Sequence, residues 1–248
     1  MRNILKSLVK GVLSKTSFRL VRAPQNRFQS IEDCLWQLKR LGYDPKVVID
    51  GGAHLGDFSM LAHRVFPDAA IHMIEPQPAC KDALAALAAR HRFKFHPFAL
   101  VSAEEVGTPV IMTAGREPST GSHVVPPADR KTADIMVESA TLDQLFASAV
   151  NRSDQVLLKL DLQGYELAAL RGAVDMFKSV EVLLTEVSFF AQAYEPSIAQ
   201  LISFLFQNGL EMYDVAALSG RARDNRLRQG DLLFVRTGTV LTTDTAWA

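Results

Sequence analysis

Cysteine is scarce in this sequence. The 248-residue chain holds two, Cys34 and Cys80, far apart and without metal-ligand spacing, which excludes a disulfide scaffold and a cysteine-built zinc site. Reduced thiols of this kind fit a cytoplasmic protein. A run of roughly 20 apolar residues, the length that spans a bilayer, is also missing. The first residues lack the continuous apolar stretch of a secretory signal, so the chain is expected to stay inside the cell. Neither charge is in excess: 27 Lys plus Arg balance 27 Asp plus Glu, and no global field recruits nucleic acid or an anionic surface. With no basic domain and no aromatic stacking series outside the N-terminal segment, nucleic acid is not an expected partner. Repeats, low-complexity tracts and clear linkers are absent, which leaves one main domain as the default at this length.

What is present begins with a 48% hydrophobic fraction, enough for a large core. The first 31 residues carry seven basic side chains (Arg2, Lys6, Lys10, Lys15, Arg19, Arg22 and Arg27) before the first acid, Glu32. Ile4, Leu5, Leu8, Val9, Val12 and Leu13 recur there at helical spacing. Two readings stand: a basic amphipathic helix making weak peripheral contact with a membrane, or a helix docking its apolar stripe on the main domain or a neighbouring subunit. A second helical pattern from Ser30 to Leu41 places Ile31, Leu35, Leu38 and Leu41 on one face. Residues 1–42 thus read as a helical extension and 43–240 as the main domain.

From Val47 onward, short β-branched runs alternate with amphipathic helical stretches, the rhythm of a parallel sheet covered on both faces. Strands are expected at Val47 to Ile49, Ile71 to Ile74, Val156 to Leu160 and Val180 to Leu184, with closing strands at Leu210 to Val215 and Leu232 to Val235. Helices are expected from Asp57, up to Arg90, from Glu166 to Phe177 and from Ser197 to Gln207. Between Phe93 and Val137 the rhythm changes: strand-like pieces (Phe93 to Leu100, Pro109 to Met112, Ile135 to Val137) separated by turn formers read as a β-rich insertion.

The stretch VVIDGGAHLG puts a buried strand directly before a glycine turn that opens a helix. Gly51 and Gly52 permit positive φ and close backbone approach, and the helix start offers unpaired N–H groups, so an anionic or nucleotide-like ligand suits the turn. The second strand runs into Glu75, an acid placed to accept hydrogen bonds from both ribose hydroxyls of a nucleoside. Asp50 separates the candidate ligands. An acid there repels a dinucleotide pyrophosphate but favours the ammonium of S-adenosylmethionine.

Several motifs then occur in order: VIDGGAHLGDFS, MIEPQP, HPFALVS, SATLDQL, LLKLDLQGYELAALRGA, LLTEVSFF and GDLLFV. Over roughly Val47 to Arg236 the sequence resembles the FkbM-type methyltransferase family. The resemblance implies an α/β, Rossmann-like class I methyltransferase fold: a seven-stranded, mostly parallel sheet with helices on both faces. It also implies S-adenosyl-L-methionine as cofactor, and transfer of its methyl group to a hydroxyl oxygen of a sugar, glycolipid or secondary metabolite. Asp50, Gly52, Ala53 and Gly56 would hold the methionine part, Glu75 the ribose, Pro76 the adenine, and Phe98 and Ala99 the adenine edge. His54 stands where asparagine or glycine is common, and is given no catalytic role.

At the acceptor end, Lys159 and Asp161 lie two apart on one strand and share a face, with Asp161 at its carboxyl end. Asp161 is the leading candidate for base, acceptor orienter or ammonium contact, with a plain Lys159–Asp161 ion pair as the alternative. Glu186, ending the next strand, is a second base candidate, and Glu166 is as well explained by helix capping. Asp161, Glu166 and Glu186 could together suggest a divalent ion, but no metal is assigned. His123 falls in the insertion, as a lid residue or an ordinary surface histidine. Two rival functions remain open: a nicotinamide-dependent oxidoreductase and a non-catalytic S-adenosylmethionine-binding protein.

Overall fold

The computed structural model describes residues 30–113, 117–125, 129, 131, 134–190, 197–220 and 223–243. The N-terminal stripe from Ile4 to Leu13 lies outside them.

The elements in chain order are α1 (Ile31–Arg40), β1 (Val47–Gly51), α2 (Asp57–Val65), β2 (Ala70–Ile74), α3 (Lys81–His91), β3 (Lys94–His96), β4 (Ala99–Leu100), β5 (Val110–Met112), β6 (Ile135–Val137), β7 (Ser139–Ala140) and α4 (Leu142–Phe146). They continue with β8 (Val156–Leu160), α5 (Glu166–Arg171), β9 (Val180–Ser188), α6 (Ile198–Gln207), β10 (Leu210–Gly220) and β11 (Leu227–Arg236). A seven-stranded sheet has the order β10-β11-β9-β8-β1-β2-β3. Only β11 in it runs antiparallel, returning between β9 and β10. The expected α/β architecture with a mostly parallel sheet is the one observed.

Strand alternation explains the two cores. Val48, Met73 and Leu157 point to one face, where they bury Leu35 and Leu38 of α1, Ala62 of α2 and Leu84 of α3. Ile49, Ile74 and Leu158, one residue on, point to the other and meet Phe146 of α4, Leu170 of α5 and Leu205 of α6. Central strands buried on both faces read as continuous apolar runs, which is why β8 is Val-Leu-Leu-Lys-Leu with a lysine as its single polar member. Helix starts follow local chemistry: Thr141 and Ser197 form capping boxes with Gln144 and Gln200. Helix α1, expected as part of an extension, buries Cys34, Leu35 and Leu38 in the same core as the sheet.

Several expected elements differ in extent, β9 among them, which runs on from Leu184 to Ser188. The run Phe93 to Leu100 is two strands, because Pro97 lacks the N–H needed to continue a ladder; β3 stays at the sheet edge while β4 leaves to pair with β7. The helix expected to reach Phe177 ends at Arg171. Gly172 follows with its Cα so near the Val101 carbonyl that an added Cβ would stand 2.3 Å from that oxygen, and a short 3-10 turn carries the chain from Met176 to Ser179. Strands β10 and β11 extend beyond the expected runs, β10 through Ala216 to Gly220 and β11 back to Leu227, mostly with exposed or half-exposed residues. The insertion is β-rich as expected, with β5 and β6 forming an antiparallel pair.

Candidate active site

At the carboxyl ends of β1, β2 and β8, where open α/β sheets bind ligands, a cleft of about 610 Å³ opens to solvent. Its floor is the β1–α2 turn. Gly52 adopts φ +75°, and a Cβ there would stand 1.9 Å from the Asp161 carbonyl oxygen, so the glycine is required by the approach of the β8 loop. The N–H groups of Gly52 and Ala53 both donate to the Ile74 carbonyl, and Asp161 N–H donates to the Gly51 carbonyl, locking three strand ends together. Gly56, at φ +87°, admits Leu87 at 2.4 Å from where its Cβ would be.

Glu75 is buried and held from two sides. Its Oε2 accepts the His54 N–H and its Oε1 the Gln77 N–H, each at 2.9 Å. Asp50 lies deeper, wholly buried, accepting from Ser59 Oγ at 2.7 Å with Lys159 Nζ 3.3 Å from its other oxygen. Lys159 also donates to the Gly52 carbonyl at 2.8 Å and stands 3.7 Å from Asp161. Burial works against its charge, but Asp50 and Asp161 outweigh burial and raise its pKa. The lysine thus ties two aspartates and the glycine turn into one charged unit.

Beyond Asp161 the polar groups change character. Gln163, in a left-handed conformation at φ 53°, donates from Nε2 to Asp161 Oδ1 at 2.8 Å and to Glu186 Oε2 at 3.1 Å. Gln229 donates to the other Glu186 oxygen. Burial, then Asp161, Asp231 and Glu166, push the Glu186 carboxyl from 4.5 up to about 7. Asp231 sits opposite Glu186 in the β9–β11 register, and burial and Asp161 raise its carboxyl as well. Glu166 accepts N–H groups from Leu162 and Gly164, yet burial still drives it to about 7. Glu166 and Glu186 border a second hollow of about 310 Å³ with Gly164, Ser188 and Ile198. Among the described residues no group of three or more His, Cys, Asp or Glu is placed to hold a metal ion.

The inserted segment supplies the remaining wall. Ser119, Thr120, Ser122 and Val124 line the cleft with Met112, and the Tyr165 ring joins them while its hydroxyl donates to Glu105 at 2.5 Å. His123, expected as lid or surface residue, hydrogen-bonds within this arm, its ring 3.0 Å from the Gly121 carbonyl.

Residues 50–212 match the family model described as Methyltransferase FkbM domain. The chain belongs to this family. Among solved structures it is similar to methyltransferase FkbM from Methylobacillus flagellatus KT, at 17% identity over 77% of this chain and 43% of that one, with a TM-score of 0.48. It therefore spans less than half of that protein's length. It is also similar to fibrillarin from Aeropyrum pernix with natively bound S-adenosyl-L-methionine, at 14% identity over 82% of this chain and 74% of that one (TM-score 0.44). A third is the Burkholderia thailandensis 1,6-didemethyltoxoflavin-N1-methyltransferase with bound 1,6-didemethyltoxoflavin and S-adenosylhomocysteine, at 12% identity over 95% and 86% (TM-score 0.43). No curated protein matches the chain.

In this FkbM-family chain the site residues expected from sequence divide by depth. Gly52, Glu75, Pro76, Phe98, Ala99 and Asp161 line the cleft. Asp50, Gly51, Ala53, Gly56 and Lys159 are buried in or beneath the turn, and Glu186 borders the second hollow. Sequence reasoning passed over Gln163, Gln229 and Asp231. A register assignment for β9 against β11 would have placed Asp231 beside Glu186. No helix among the described residues is long and apolar enough to cross a membrane.

Proposed function

We propose that this methyltransferase uses S-adenosyl-L-methionine to methylate a hydroxyl oxygen of a small, polar acceptor such as a sugar or other hydroxylated metabolite. One observation carries the reading: a single cleft presents Glu75, pinned by two backbone N–H groups, at one end and Asp161 at the other.

The lining fits the donor's chemistry. A pinned carboxylate suits a ribose diol, the walls of Pro76, Phe98 and Leu100 suit a nucleobase, and Asp161 is the carboxylate offered to an ammonium. Asp50 takes a different part from the one its sequence position implies. It is sealed beneath the turn and neutralised by Lys159, so it supports the turn instead of meeting the ligand. Lys159, held protonated by its two aspartates, is an electrostatic strut and not a proton acceptor.

When bound, the donor supplies an electrophilic methyl group that needs an in-line nucleophile. The chain's own residues supply position and proton handling. Glu186, joined through Gln163 to Asp161 at the cleft, has a carboxyl at about 7, half-ionised near neutrality and able to take a hydroxyl proton. Gln163 fixes the Glu186 oxygen that faces Asp161. Calorimetry with S-adenosylmethionine and S-adenosylhomocysteine tests the donor: binding lost in Glu75→Ala supports it, and no binding to the wild-type chain rejects it. An acceptor screen beginning with hydroxylated sugars then tests the oxygen assignment. Product carrying the methyl group on nitrogen or carbon would overturn that part alone.

A further inference from the structure

The inserted arm is built like a hairpin with its base on β5. Thr113 N–H donates to the His123 carbonyl at 3.1 Å and Val125 N–H to the Ile111 carbonyl at 2.7 Å, so residues 122–125 return antiparallel to β5. The arm's far end, Ser119 and Thr120, reaches the connection between β2 and α3 and lines the cleft there.

At that point Gln77 meets the arm face on. Its Nε2 donates to the Ser119 carbonyl at 3.1 Å, and its Oε1 accepts the Ser119 N–H at 3.1 Å. A side-chain amide here makes the reciprocal pair of bonds that two residues exchange across an antiparallel ladder. Both amide atoms are thereby engaged and their orientation is set by the backbone they face. The backbone N–H of the same residue donates to Glu75 Oε1. One residue therefore orients the ribose-facing carboxylate with its main chain and fastens the opposite wall of the cleft with its side chain.

We propose that Gln77 is a positioning residue that latches the 117–125 arm across the cleft and so retains the bound donor. The proposal rests on the donor reading above. Gln77 touches no reacting atom in this role. It holds the wall contributed by Ser119, Thr120, Ser122 and Val124. The two bonds lie at the surface, where each is worth little, so the latch opens readily for entry and exit.

Two measurements on the full chain separate the latch from the donor reading. Without ligand, hydrogen exchange followed by mass spectrometry should be about threefold or more faster over residues 117–122 in Gln77→Met, which keeps length and loses both bonds. Exchange elsewhere should match wild type. With S-adenosylhomocysteine as probe, Gln77→Met and Gln77→Ala should dissociate roughly three- to tenfold faster, the size expected for two modest hydrogen bonds. KM for the donor should rise while kcat at saturation stays within about twofold, the pattern of lost ground-state binding. Gln77→Glu adds a test that a loss of packing would not pass. Its carboxylate faces the Ser119 carbonyl, so its exchange at 117–122, taken as a ratio to wild type at the same pH, should fall toward one as pH nears about 4.3 and the acid becomes a donor, while the Gln77→Met ratio stays constant. Unchanged exchange at 117–122 in Gln77→Met overturns the latch even where wild type binds the probe. Wild type failing to bind while exchange responds to Gln77→Met rejects the donor-retention role and leaves the arm contact as structure alone.

Discussion

The proposed donor end of the cleft and the carboxylate cluster beside it are built from the same residue types under opposite rules. At the donor end every carboxylate has a fixed partner: Glu75 two backbone N–H groups, Asp50 a serine hydroxyl and a buried ammonium. In the cluster beside the cleft, proposed for the acceptor, Glu186 is held by two side-chain amides and surrounded by Asp161, Asp231 and Glu166. Backbone donors and a buried lysine fix geometry and charge. Amides fix geometry and leave the proton mobile. One fold thus places a rigid binding end beside a titrating end, divided at Asp161 and Gln163.

The largest effect should come from breaking the rigid end. Lys159→Met leaves Asp50 buried without its cation, and an uncompensated buried charge costs about 3–5 kcal/mol. Thermal unfolding should show this as a drop in Tm well beyond that of the double variant Asp50→Asn/Lys159→Met, which removes both charges together. Equal losses in single and double variants would mean the strut carries no charge-specific role.

Glu75→Ala should come next. It removes an acceptor for two hydroxyls, and hydrogen bonds to a charged group are worth about 1.5–3 kcal/mol each, so donor affinity should fall by at least about tenfold. Calorimetry decides it, and an affinity within twofold of wild type would deny Glu75 its role.

These two predictions concern the part that the sequence made most legible, for a physical reason. A strand, a glycine turn, a helix start and an acid after the next strand are local features, and local chemistry dictates them. Gly52 had to be glycine, although what crowds it is the Asp161 carbonyl of a distant loop and not a ligand. The depth of Asp50 was not legible, because a strand-end acid reads alike whether it faces a cleft or a buried lysine. The acceptor end was less readable still. Asp231 reaches Glu186 only through the register of two antiparallel strands, and Gln163 acquires its reach from a left-handed turn that no periodicity announces. The outer half of β11 was missed for a related reason: Arg228, Gln229 and Asp231 are polar, and ladder hydrogen bonds leave no hydrophobic trace.

Glu186→Gln probes the titrating end. Loss of a general base costs about 10²–10⁴ in rate. Wild-type activity should climb with pH through a midpoint near 7 as Glu186 ionises, and the glutamine variant should lack that limb. A pH–rate profile of kcat settles the point, since an unchanged limb in the variant assigns the proton elsewhere.

The smallest effect is in stability, and its sign follows from the same group. The folded Glu186 binds its proton more tightly than an ordinary glutamate, titrating at about 7 against 4.5. Between those values the native state holds more protons than the unfolded chain, so stability falls as pH rises. Its contribution is complete below about 4.5 and is lost on passing through about 7. Glu166, raised to about 7 by burial, adds a second slope of the same sign. Glu186→Gln should therefore flatten, without abolishing, the decline in urea midpoint between pH 5 and pH 8, leaving the share of the other raised carboxyls, Glu166 and Asp231. A Glu186 variant whose slope matched wild type would show that the carboxyl titrates like an exposed one, and the distinction between the cleft's Glu75 end and the carboxylate cluster beside it would then rest on geometry alone.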